Sequence, residues 1–92
     1  MALTKESRLS VDFDAREDVL YISIGDPVPS YSEEIEDGVL LRRSNAEDQP
    51  SGVTAIDFRN NWLSQRRRFY VIVADYLRVP AETVEREVES RI

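Results

Sequence analysis

The residues best suited to chemistry are carboxylates in the first part of the chain. Four of them fall close together, namely Asp12, Asp14, Glu17 and Asp18. Carboxylate oxygens so spaced could bind Ca²⁺ or Mg²⁺, but Arg16 and Glu17 stand where an EF-hand loop needs its third ligand and its glycine. Aspartates also close turns by accepting hydrogen bonds from backbone N–H groups. We favour the turn over the cation site and predict no metal or other cofactor.

A second acidic group follows, made of Glu33, Glu34, Glu36 and Asp37. Two carboxyl groups can act as a general acid and a general base only where one is desolvated and the other stays ionised. Strand alternation places Glu34 and Glu36 on one face and Glu33 on the other, and an exposed edge strand desolvates neither face. Charged side chains on such an edge prevent edge-to-edge association. We interpret the glutamates as a protective edge and as candidate contacts for a partner.

The basic counterpart is a run of three arginines, Arg66, Arg67 and Arg68. Arginine pairs well with phosphate oxygens, and Trp62 and Phe69 flank the run as candidate stacking groups. The run is not part of any recognisable nucleic-acid-binding motif. Three interpretations stay open: contact with nucleic acid, ion pairing with the acidic sheet within the chain or across a dimer, and a solvated face. Nucleic acid ranks last among them.

The residue types that are missing exclude the familiar reaction centres. The 92-residue chain has neither histidine nor cysteine, which removes the commonest general base, the commonest metal ligand and every thiolate. A serine has no histidine with which to form a catalytic triad. The three glycines are scattered and form no phosphate-binding loop. The sequence leaves enzyme activity undecided and favours a protein without it.

Charge is distributed unevenly along the chain. The formal net charge is −6, with thirteen acidic and five basic side chains in residues 1–58, and five arginines and one aspartate in residues 59–78. A domain with this net negative charge repels nucleic acid and suits a basic protein partner. The sequence contains no run of about 20 apolar residues that would predict a membrane span, and its start lacks the apolar core of a signal peptide. We therefore expect a cytoplasmic protein without a membrane contact.

Periodicity predicts the elements that position these side chains. Residues 1–8 are expected to form a flexible N-terminus and residues 9–92 a single α+β domain. Alternating apolar and polar residues predict a small antiparallel β-meander of four or five strands within 9–58, namely 9–14, 19–24, 31–36, 39–43 and 53–58. The polar break at 14–18 and the pair Asp37-Gly38 are typical of hairpin turns.

Apolar residues adopt helical spacing beyond residue 60. One long helix is predicted over 61–78, with a start near residue 65 as the alternative, and one short helix over 80–92. Aromatic residues at such spacing are more typical of a core than of a ligand pocket.

Surplus apolar surface predicts a homodimer. Val84, Val88 and Ile92 form a stripe along the short helix that must bury against the sheet or against a partner. Val19 and Tyr21 add apolar surface on the second face of the sheet. Together they exceed what one face of a monomer can cover, which motivates the homodimer hypothesis.

Four segments resemble the bacterial domain-of-unknown-function family 2283. They are VDFD at 11–14, DVLYI at 18–22, SEEIEDGVLL at 32–41 and GVTAIDF at 52–58. The resemblance covers residues 9–60, and the helical C-terminus is an addition to it. It implies a small antiparallel sheet with a following helix, and it implies no catalytic residues. It also suggests an antitoxin-like role as the partner of a toxin-like protein.

The sequence thus favours a non-enzymatic protein-interaction module. Its candidate contact residues are Arg66, Arg67, Arg68, Trp62, Glu33, Glu34 and Glu36. The alternative is a small-ligand binder or enzyme that uses carboxylates and tyrosines. Contact with nucleic acid through Arg66, Arg67 and Arg68 is the third candidate.

Overall fold

The computed structural model describes residues 8–92, which form an antiparallel sheet with helices over one face. The five strands are β1 (Leu9–Asp14), β2 (Val19–Ile24), β3 (Ser30–Glu36), β4 (Val39–Ser44) and β5 (Pro50–Ile56). The helical part consists of α1 (Phe58–Trp62), a 3₁₀ turn (Leu63–Gln65), α2 (Arg66–Leu77) and α3 (Ala81–Glu89). The predicted α+β class, a sheet followed by one long and one short helical segment, is confirmed.

Some boundaries differ from those predicted. Phe58, expected at the end of the last strand, is the first residue of α1, so the helical part begins before residue 61. The long segment is interrupted by the 3₁₀ turn, and α2 begins at Arg66, close to the alternative start. The predicted flexible N-terminus lies outside the described residues, apart from Arg8.

Two hairpins join in the sheet through the last strand of the chain. The strand order is β1-β2-β5-β4-β3, with β1 paired to β2 and β3 paired to β4, as predicted. Asp37 and Gly38 both have positive φ, 38° and 78°, which is the backbone of a tight hairpin turn. In the predicted meander β3 would pair with β2, whereas here β5 separates the two hairpins, so the sheet is antiparallel as predicted but its strands do not follow chain order.

The link between the hairpins makes this order feasible. From the end of β2 to the start of β3 the chain must cross three inter-strand spacings, about 14 Å. Residues 25–29 can span this distance because five extended residues reach about 17 Å, and Pro27 and Pro29 favour an extended backbone. The Asn45 N–H donates to the Pro29 carbonyl at 3.0 Å, which fixes the link beside the end of β4.

The composition of β5 suits a central position. Its sequence PSGVTAI carries no charge, and Gly52, Val53 and Ala55 are buried. A central strand has both edges paired and needs no charge to prevent aggregation. The two outer strands, β1 and β3, instead carry the aspartates and glutamates of the sheet.

Helices cover one face of the sheet and form the core with it. Phe58 and Trp62 lie at ring-centroid distances of 5.2 and 5.6 Å from Phe69, and Phe58 lies 6.2 Å from Phe13 of β1. These edge-on and tilted contacts are the geometry that aromatic pairs prefer. Below them lie Leu20 and Ile22 of β2, with Val39, Val53 and Ala55 from the neighbouring strands.

The stripe on α3 packs within the same chain. Val84 and Val88 are completely buried in the core that the helices share with the sheet, and Ile92, beyond the end of α3, is 38% exposed. The stripe therefore needs no second copy to cover it. The homodimer hypothesis keeps only its other support, the apolar side chains on the second sheet face.

Candidate interaction surface

The aspartates of the first hairpin have turn and capping partners. One oxygen of the Asp14 carboxylate accepts the N–H groups of Arg16 and Glu17 at 3.1 and 3.0 Å. The Asp18 carboxylate accepts the Arg59 N–H at 3.1 Å and its Nε–H at 3.0 Å, at the start of α1. Within residues 8–92 no three acidic side chains stand close enough to hold a metal ion. The geometry is that of the predicted turn.

A β-bulge separates the glutamates of β3. Glu34 lies opposite Leu40, but the pairing then shifts so that Glu36 lies opposite Val39. The predicted alternation, with Glu34 and Glu36 on one face, is therefore wrong, because the extra residue Ile35 changes the side on which Glu36 projects. Glu36 lies on the helix-covered side, whereas Glu34 projects from the other face.

Two of the three arginines pair with acids of the same chain. Arg68 donates to Glu36 at 2.7 Å, and Arg66 lies 3.6 Å from Glu89 of α3. Arg67 is exposed. Ion pairing with the acidic sheet, one of the three open interpretations, thus occurs within the chain at Arg68, whereas Arg66 lies beside an acid of a helix. Both contacts leave less positive charge for a phosphate.

Trp62 is a core residue and not a surface contact. Its side chain is completely buried, its Nε1–H donates to the Asp37 carbonyl at 3.2 Å, and the Arg68 guanidinium lies 5.2 Å from its ring centroid. The structure therefore corrects its assignment as a contact residue, because no ring face is free for a partner or a base.

Glu33, another predicted contact residue, lies on the outer strand β3 and is exposed.

A groove of about 990 Å³ lies between the end of α2 and the loops of the sheet. Arg43 and Tyr76 line it, but the Arg43 side chain donates to Asp48 at 2.9 Å and the Tyr76 hydroxyl to the Arg42 carbonyl at 2.7 Å. Hydrogen bonds from Tyr31 and Arg43 lower the pKa of Asp48 below its usual range. Asp48 therefore stays ionised, and these paired groups do not indicate acid–base chemistry.

Tyr70 supports a prediction about alkaline pH. Its hydroxyl donates to Glu89 at 2.6 Å, and burial, together with this bond, raises the pKa of the phenol. The folded state thus binds the proton more tightly, so this stabilisation is present below pH 10, the pKa of an unfolded tyrosine, and is lost as the pH rises above it.

We expect Tyr70→Phe to flatten the loss of stability above pH 10, by up to about 1.4 kcal/mol per pH unit. At pH 7 the variant should be less stable by about 1 kcal/mol, because it lacks the hydrogen bond to Glu89. Urea denaturation at pH 7, 10 and 11 measures both effects. Parallel pH dependences for the two proteins would contradict the assignment.

The second face of the sheet carries an apolar band that no element of residues 8–92 covers. The band consists of Val19 and Tyr21 of β2, Ile56 of β5 and Leu40 of β4, together with Thr54 of β5, whose side chain carries both a methyl and a hydroxyl group. Tyr21 and Ile56 are 40% and 46% exposed, and the other three are half-buried. Val19 lies opposite Ile56, and Tyr21, Thr54 and Leu40 form one row across three strands.

Acidic side chains flank the apolar band on both sides. Asp12 and Asp14 of β1 lie opposite Tyr21 and Val19, and Glu34 of β3 lies opposite Leu40. Asp12 and Glu34 are exposed, so both outer strands present negative charge beside the band. We call the band and these three acids the open face.

Arg42 closes one end of the open face. Its Nη2 donates to the Ile22 carbonyl at 2.8 Å and to the Ser23 hydroxyl at 3.0 Å, so the side chain crosses β5 over Gly52. Its Nε is buried and has no hydrogen-bond partner among the described residues. Partial burial lowers the pKa of the guanidinium from its ordinary value.

Sequence reasoning found only part of the open face. Val19 and Tyr21 were predicted on a second face, but Leu40, Thr54 and Ile56 join them only because β5 lies between β2 and β4. The alternation in GVTAI places Thr54 and Ile56 on one side. That signal shows which residues share a side, and it does not show which strands lie next to β5.

The fold and the open face together define a small α+β protein with a one-sided helical layer. Comparison with protein-family models, curated proteins and solved structures returns no match. The resemblance of residues 9–60 to family 2283 stays a prediction. Over the part of the chain that the structure describes, no helix is both long and apolar enough to span a membrane.

Proposed function

We propose that the chain is a non-enzymatic protein-interaction module that binds its partner through the open face. The observation that carries the proposal is the apolar band on three neighbouring strands, which residues 8–92 leave uncovered. A sheet face with apolar residues gains stability when another layer covers it. Within residues 8–92, helices provide that layer on one face only, and the open face offers the corresponding contact to another protein.

An antitoxin-like role is the narrower form of this proposal. It is supported by the sequence resemblance to family 2283 and by the net charge of −6, which suits a basic partner. We place this interaction in the cytoplasm, as the sequence predicts. The arginine run is less suited to the contact, because Arg66 and Arg68 lie beside acids of the same chain.

Ile56→Asn is expected to weaken partner binding at least tenfold, because it puts an amide on β5, the middle strand of the apolar band. Val71→Asn is the matched control, since Val71 of α2 is 55% exposed and lies away from the open face. Each tagged protein is used to recover partners from cells of its source, and the affinity of the recovered partner is then measured.

The proposal requires that the wild type and Val71→Asn recover the same stoichiometric partner and that Ile56→Asn does not. Equal recovery by all three proteins would show that another surface makes the contact. Recovery of no stoichiometric partner by the wild type would count against the interaction module itself. Far-UV circular dichroism confirms that each variant is folded before the comparison.

A further inference from the structure

We infer that the occupant of the open face is an amphipathic helix of another protein, with an apolar stripe flanked by basic side chains. The inference rests on the proposed function and adds to it the shape and charge of the partner. It follows from the dimensions of the apolar band, from the acids beside it and from the character of the outer strand β3.

The apolar band has the width of one helix. It spans β2, β5 and β4, so its side chains cover two inter-strand spacings, about 10 Å. An α-helix with its side chains has a diameter of about 10–12 Å. A stable interface between two whole proteins usually takes 20–30 residues on each side. The five side chains of the band suit a single helix better than a second copy of the sheet.

The acids beside the band determine the charge of the occupant. Asp12 and Asp14 lie on one side and Glu34 on the other, on strands four spacings apart, about 19 Å. A helix along the strands would bring lysine or arginine side chains close to both sides, because these long side chains extend outward from an apolar stripe. A second copy would bring the same acids and a further net charge of −6.

Addition of a strand to β3 is the less suitable mode. The free edge of β3 carries Glu33, Glu34 and Glu36, and the bulge at Ile35 interrupts its regular pairing. Charges and bulges are the features by which sheet edges avoid pairing with another chain. The face of the sheet, unlike its edge, combines apolar contact with acids on both sides of the contact.

Three synthetic peptides of 18 residues test the inference. The first places leucines on one helical stripe with flanking lysines, the second replaces the lysines by glutamates, and the third scrambles the first so that the stripe is lost. Fluorescence anisotropy of labelled peptides measures binding to the full chain at 0.15 M salt. We expect the first peptide to bind at least tenfold more tightly than either of the others.

Variants show whether the binding occurs at the open face. Ile56→Asn should weaken binding of the first peptide at least tenfold, and Asp12→Asn/Glu34→Gln at least threefold with a smaller salt dependence. The controls Val71→Asn and Glu82→Gln/Glu85→Gln make equivalent changes, one aliphatic residue to asparagine and two carboxylates to amides, on helices of the opposite face and should bind as the wild type does.

Three results would overturn the inference. Equal binding of the striped and scrambled peptides would show a general attraction between opposite charges. A dimer in sedimentation equilibrium that Ile56→Asn dissociates would make a second copy the occupant. If no peptide binds while the natural partner still depends on Ile56, the interaction module stands and the basic helix is wrong.

Discussion

Replacing Trp62 by alanine is expected to lower the free energy of unfolding by about 3–5 kcal/mol. The side chain is completely buried, it packs against Phe69 at 5.6 Å, and its Nε1–H donates to the Asp37 carbonyl at 3.2 Å. The substitution therefore removes core contacts and leaves the carbonyl of the second hairpin turn without this donor. A domain of this size has a total stability of about 5–14 kcal/mol, so much of it depends on this one residue.

Urea denaturation followed by far-UV circular dichroism measures the loss, since the variant has no tryptophan to report by fluorescence. Trp62→Phe should lose less than Trp62→Ala, because it keeps an aromatic ring against Phe69. Leu63→Ala is the control, since the neighbouring Leu63 is 38% exposed and should lose under about 1 kcal/mol. A loss below 1 kcal/mol in Trp62→Ala would contradict the position of Trp62 in the core.

Local signals were enough to predict the hairpins. The run VDFD before a polar break, and Asp37-Gly38 between two β-capable segments, depend on interactions within about ten residues of sequence. The same is true of the helices, whose apolar spacing follows their own geometry. Fold class could therefore be predicted from the sequence alone.

Interactions between distant segments were not predictable in this way. Asp18 accepts the Arg59 N–H at the start of α1, and so a turn of the first hairpin caps a helix 41 residues away along the chain. The bulge at Ile35 changes the side of the sheet on which Glu36 projects, and Glu36 then reaches Arg68. Neither effect has a sequence pattern of its own, because each depends on which segments meet.

The candidate site depends most on the position of β5. Had the strands followed chain order, Thr54 would not lie between Tyr21 and Leu40, and Ile56 would not lie opposite Val19. The uncharged composition of β5 is the signal that favours a central strand, and the acids of β1 and β3 are the signal for outer strands. The charge content of the strands therefore indicates the observed strand order more directly than the lengths of the connecting loops do.

Replacing Gly52 by alanine has the second large effect, an expected loss of about 3–5 kcal/mol. A Cβ at this position would lie 2.5 Å from the Ile22 carbonyl oxygen and in contact with Nη2 of Arg42. Overpacking of this kind costs about 1–3 kcal/mol, and displacing Arg42 also removes its bonds to Ile22 and Ser23, each worth about 1 kcal/mol. Denaturant unfolding of the variant measures the loss.

Gly25→Ala is the control for this substitution. Nothing lies within 4 Å of its added Cβ, and only its positive φ of 70° lowers the stability, by about 1 kcal/mol.

A double-mutant cycle shows whether Arg42 causes part of this loss. Arg42→Ala removes the long side chain that the new Cβ would contact. Gly52→Ala should therefore lower the free energy of unfolding by about 1–2 kcal/mol less in the Arg42→Ala background than in the wild type. It should still cost something, because the Ile22 carbonyl belongs to the backbone of β2 and cannot move aside. Additive effects would mean that the arginine does not lie over Gly52. Non-additive losses would show that a glycine is required at the point where the Arg42 side chain crosses β5. The end of the open face would then depend on both Arg42 of β4 and Gly52 of β5.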